Sequence, residues 1–182
     1  GPSGMGGLWG KYEHLDGLRT IQSGGQTVTA STYKEASWAK PPARFEGGLG
    51  NFSGMMATGA AIDYLSKIEM DQVKEHEIRL NRIMTKGVKD LPGLKIIGPE
   101  DPAKRGGICS IIMDKLPAHD VAILLDEAAG VMVRSGQHCV HSWFEHHGHK
   151  QGSLRASAYF YNTEEEVKRF VDTLTEIVHT LG

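Results

Sequence analysis

The chain has 182 residues, 40% of them hydrophobic and 23% charged, with a net charge of −2 and only two cysteines. These proportions suit one large globular domain or slightly more. Apolar runs are too short to cross a bilayer, and the lysines and arginines form no stripe that would bind nucleic acid; with no leader sequence and too few cysteines for a disulfide framework, a reducing cytoplasm is expected.

The opening, Gly1-Pro-Ser-Gly-Met-Gly-Gly-Leu-Trp-Gly10, suggests a turn leading into a short strand near residues 6–10. Glycine-rich backbone can approach phosphate, but no Gly-Lys-Ser/Thr follows, so this is not a P-loop. Residues 19–50 are polar and weakly periodic, with glycine knots at residues 23–27 and 46–51. They read as a long loop, and a loop of that length is either functional or pinned by another surface. Residues 51–68 predict a helix capped by Asn51 or Ser53, with small residues that permit close packing. Residues 70–91 carry Val73, Leu80, Ile83, Met84 and Leu91 at helical spacing and end at Pro92-Gly93.

Two strands are expected at Leu94–Ile97 and Ile108–Met113. A helix from Pro117 to Ala129 follows, stopped by Gly130. Residues 131–134 predict a strand, residues 141–147 a short helix or turn, and residues 154–159 a last strand. Thr163 and Glu166 form a capping box that opens a final helix with Val167, Phe170, Val171, Leu174, Ile177, Val178 and Leu181 on its inner face. This order implies an α/β layer, a small and mostly antiparallel sheet covered by helices.

The two cysteines sit in unlike settings. Cys109 lies in an apolar strand, whereas Cys139 ends a glycine turn, next to His138 and five residues after Arg134. Thiolate is the reactive form of cysteine and neighbouring positive charge favours it, so Cys139 is a candidate nucleophile, with a bystander thiol as the alternative. His138, Cys139, His141, His146, His147 and His149 cluster in sequence, but the spacing is not that of a structural zinc site, and no metal is expected. Arg155, on a strand of small residues, is a candidate carboxylate fork, with an ordinary ion pair as the alternative.

Several of these stretches together resemble the SufS-type (group II) cysteine desulfurases of the class V aminotransferase family. Arg134-Ser-Gly-Gln-His-Cys139 resembles their Arg-x-Gly-His-His-Cys. Leu154-Arg-Ala-Ser157 with Tyr161-Asn-Thr-x-Glu165 resembles a later segment, and Arg44-Phe-Glu-Gly-Gly48 their Arg-Phe-Glu-x-Gly. Gly1-Pro-Ser-Gly-Met-Gly6 is similar to the segment close behind their pyridoxal-phosphate lysine. The resemblance implies the C-terminal part of a fold-type I pyridoxal-phosphate homodimer: residues 1–50 ending the large cofactor domain and making dimer contacts, residues 51–182 forming linker helices and the small domain. It also implies that the cofactor lysine lies in an N-terminal portion that this chain lacks.

The implied activity is removal of sulfur from L-cysteine to give L-alanine and an enzyme persulfide, passed to an acceptor protein for iron–sulfur cluster assembly. By the same match Cys139 is the sulfur-accepting nucleophile and Arg155 grips the substrate carboxylate. Arg134 and His138 organise the cysteine loop, and Gly48 and Leu49 reach the cofactor phosphate of the other subunit. Leu49 stands where the family usually has threonine, and Gln137 replaces the first histidine of its His-His-Cys. Selenocysteine lyase or another class V lyase, and a non-catalytic fragment or partner subunit, are the alternative readings.

Overall fold

The computed structural model describes all residues, Gly1–Gly182, and the chain divides into two compact units, Gly1–Lys67 and Ile68–Gly182.

In the first unit a short helix, α1 (Tyr12–Gly17), precedes an antiparallel hairpin of β1 (Val28–Ser31) and β2 (Ala36–Trp38), and α2 (Phe52–Ile68) closes the unit. The expected strand at residues 6–10 does not form. That stretch has no partner ladder, and the polar residues just after it take up α1 instead. The expected long loop is half structured: Thr32 Oγ1 accepts from the amides of Lys34 and Glu35 and folds the hairpin turn. Asn51 caps α2, its side-chain oxygen accepting from Gly54 N at 3.0 Å. Arg44 ties the unit together. Its guanidinium donates to the carbonyls of Ala39, Asp16 and Leu18 and pairs with the Asp16 carboxylate at 2.8 Å.

The second unit is a four-stranded, wholly antiparallel sheet in the order β3-β4-β6-β5. Its strands are β3 (Leu94–Ile97), β4 (Ile108–Met113), β5 (Arg134–Gly136) and β6 (Ser153–Ser157). Alternation along a strand sends Cys109 and Ile111 of β4, and Leu154 and Ala156 of β6, to one face, where all four are buried. Three helices cover that face: α3 (Met70–Val88), α4 (Ala118–Ala129) and α6 (Glu164–Leu181). They contribute Leu80, Met84, Val121, Leu125, Phe170 and Leu174, each worth about 1.5–3 kcal/mol when fully buried. Leu181, expected on the inner face of α6, is exposed because the helix ends beyond the core.

The ends of α4 and α6 follow the sequence signals, whereas α3 stops at Val88, short of the expected residue 91. Gly130 takes the left-handed conformation (φ 63°) that terminates α4, and Thr163 and Glu166 form both bonds of the capping box of α6. Asn81 is fully buried, and its amide donates to the carbonyls of Gly106 and Ile108. The strand expected at residues 131–134 is displaced: ladder pairing begins only at Arg134 and runs to Gly136. Val131 N is instead drawn to Leu125 O by the termination of α4.

Candidate active site

The candidate arginines lie on the face of the second sheet opposite the helices. Arg134 on β5 and Arg155 on β6 are direct cross-strand partners, so their side chains leave the sheet on the same side. Two like charges on one rung repel unless an anion comes between them. The Arg155 guanidinium is half-buried and forms no hydrogen bond or ion pair within the chain, and its Nε is sealed from solvent. A guanidinium without an internal acceptor can receive a carboxylate through its planar fork.

After β5 the chain makes a tight turn over residues 137–140, closed by Val140 N donating to Gln137 O at 2.9 Å. Its two central residues, His138 (φ 49°) and Cys139 (φ 64°), are both left-handed. Such non-glycine positions cost about 1–3 kcal/mol each and gather at working sites. The turn presents Cys139 to solvent, with its Sγ 3.8 Å from an Arg134 terminal nitrogen. Cys109 is the opposite case. It is fully buried, and desolvation raises its thiol pKa against the weaker, lowering pull of Arg105.

His138 anchors the turn. Its Nε2 meets the hydroxyl of fully buried Ser153 at 2.9 Å, and its ring leans on Phe144 of α5 (His141–His146). Burial, and then the charge of Arg155, lower its pKa, against a raising hydrogen bond to Ser153, and the net lowering favours the neutral imidazole. Gly152 makes this closeness possible. A Cβ there would lie 2.3 Å from the backbone carbon of Gly136, and its φ of 80° suits glycine alone. Ser153, Phe144 and Gly152 were not singled out in the sequence; Ser153 lay just outside the strand expected at residues 154–159, whereas β6 begins with it.

The remaining histidines do not converge. His147 stacks on Trp143 at 4.1 Å and His146 meets His147 edge-on, and no group of three or more histidine, cysteine or acidic side chains is disposed to hold a metal ion.

In the first unit, Gly24 packs against the backbone of Gly47 and Gly48, in a loop fixed by the buried Thr27 hydroxyl. Gly48 is left-handed (φ 85°) and spends its amide on Gly25 O at 2.9 Å. The amides of Leu49 and Gly50 have no internal partner. Consecutive unspent amides in a glycine turn can receive an anion such as a phosphate, which is the fit this chain offers to a phosphorylated cofactor.

The family model for aminotransferase class V matches residues 1–170. A probable cysteine desulfurase from Xylella fastidiosa is 35% identical over the whole of this chain and 43% of its own length, and one from Streptomyces coelicolor is likewise 35% identical with the same coverage. Among solved structures, the apo cysteine desulfurase of Thermococcus onnurineus superposes with a TM-score of 0.81 at 32% identity, over 93% of this chain and 42% of that one. The Escherichia coli cysteine desulfurase CsdA gives 0.85 at 25% identity, over 100% and 44%. The chain therefore spans less than half the length of the relatives it matches, and its α/β fold is the corresponding part of theirs.

Proposed function

The chain belongs to the aminotransferase class V family, and on that premise we propose that it forms part of a pyridoxal-phosphate-dependent cysteine desulfurase of the SufS type. One observation carries the reading. A solvent-presented thiol stands on a strained turn against one arginine, and on the same sheet face a second arginine lacks any internal partner. The fork of Arg155 takes the carboxylate of L-cysteine. Cys139, in its thiolate form, attacks the substrate sulfur. A sulfur–sulfur bond forms as the substrate carbon–sulfur bond breaks, the bonding pair returns to carbon, and protonation gives L-alanine and a persulfide on Cys139. Arg134 steadies the sulfur during the transfer. Pyridoxal 5′-phosphate, when bound, supplies the electron sink for the carbon fragment. The amides of Leu49 and Gly50, in the turn set by Gly48, would hold its phosphate, in trans within a homodimer.

The first unit supports a paired assembly. Trp9, Ile21, Leu49 and Met56 are largely exposed, and surface of this kind is ordinarily covered by a partner. The persulfide is passed to an acceptor protein for iron–sulfur cluster assembly, in a cytoplasm that keeps both thiols reduced. The deciding experiment incubates the holoenzyme containing this chain with L-cysteine and follows alanine by chromatography and persulfide by peptide mass. Cys139→Ser should abolish both products while the bound-cofactor absorbance persists. Persulfide formation undiminished in that variant would remove Cys139 from the role.

A further inference from the structure

Two buried polar atoms near the thiol have no partner, and they are chemically complementary. Arg155 Nε carries a hydrogen and no acceptor; His138 Nδ1 is sealed in the same way. In the tautomer that carries its proton on Nε2, 2.9 Å from the Ser153 hydroxyl, neutral His138 keeps a lone pair on Nδ1. His138 is bonded to Ser153, which lies two residues before Arg155 on the same face of β6, so the two side chains stand on one side of that strand. Because Nε of Arg155 is sealed, an incoming carboxylate meets only the terminal nitrogens of the fork, and the Nε–H must find its acceptor inside the protein. His138 precedes Cys139 in the left-handed turn, so both side chains hang on the same short stretch of backbone.

We propose that Arg155 and His138 form a relay that reports substrate binding to the thiol: when the terminal nitrogens of Arg155 engage a carboxylate, its Nε–H closes onto His138 Nδ1 and fixes the turn with Cys139 directed at the substrate. The proposal rests on the carboxylate role given to Arg155 above. It makes His138 a positioning residue that touches neither substrate nor cofactor. Arg134 cannot replace it, since Arg134 already contacts the sulfur from β5.

The test uses the holoenzyme and reads alkylation of Cys139 by iodoacetamide, by peptide mass, with and without L-alanine, a carboxylate ligand without sulfur. In the parent enzyme alanine should slow alkylation about tenfold, the scale of one hydrogen bond to a charged group. His138→Gly and His138→Asn both suit the left-handed backbone, but only asparagine keeps an acceptor near the Nδ1 position. The glycine variant should lose the alanine response and the asparagine variant should retain it, with alanine kept saturating in each as read by the cofactor spectrum. Equal protection in both variants would mean simple steric shielding and would overturn the relay. Equal loss in both, or no response in the parent enzyme, would overturn it too. Turnover of L-cysteine by the parent enzyme is measured separately, so a failure of the desulfurase reading is distinguished from a failure of the relay.

Discussion

Arg155 and Arg134 share one rung of the sheet but differ in their contacts: Arg134 lies 3.8 Å from the Cys139 sulfur, and Arg155 makes no hydrogen bond. Replacing Arg155 by lysine keeps the charge and loses the planar fork. The apparent KM for L-cysteine should rise about tenfold or more in steady-state assays, the value of a charged hydrogen bond, while the fold is retained. His138 gives a pH signature of its own. Its pKa is lower in the fold than the 6.5 of the unfolded chain, so below pH 6.5 the unfolded chain takes up a proton that the fold refuses. Stability therefore falls with pH in the window just under 6.5, is unaffected by this group above it, and levels off once the folded imidazole is itself protonated. Denaturant unfolding from pH 5 to 7.5 should show that slope in the parent chain and a shallower one in His138→Asn.

Among the elements, the helices tell a different story from the turn. Thr163→Ala removes the capping hydroxyl of α6 and should cost about 1 kcal/mol, read as a drop in the denaturation midpoint. The Glu166 carboxyl in the same box has a lowered pKa, chiefly through its bond to the Thr163 backbone, so the box weakens as the pH falls below the ordinary glutamate value of 4.5. Gly152→Ala should be worse for function than for folding. The added methyl would press on Gly136, part β5 from β6 and shift Cys139, so persulfide yield should fall more steeply than thermal stability. The capping box, the glycine stop of α4 and strands β3 and β4 were legible because their signals are local: side-chain spacing and one left-handed residue. The exact span of β5 was not, because residues 131–133 are apolar enough for a strand but ladder pairing is settled by the neighbour, β6. Hairpin β1–β2 escaped notice for the same reason: its residues are mostly exposed, so no burial pattern marks them. Cys139 and Arg155 were legible as residue types in a motif. That Arg155 stands without a partner, and that Ser153 holds His138, depends on contacts made between segments far apart in the chain.

At the scale of the molecule the two units differ in how they are held. Residues 68–182 own a continuous core drawn from three helices and a sheet, whereas residues 1–67 bury only Thr27, Ala39, Pro41 and Gly54 and leave Trp9, Ile21 and Met56 outward. Expressed alone, residues 68–182 should melt cooperatively by circular dichroism, and residues 1–67 alone should show no cooperative transition, since too little apolar surface is removed from water to offset chain entropy. The buried thiol of Cys109 has a use that follows from its place near the start of β4, against β6. A chromogenic disulfide reagent can reach it only in molecules whose sheet has come apart. In a Cys139→Ser background, the slow uptake of that dye would count sheet-opening events directly, with the protein's own sulfur as the clock.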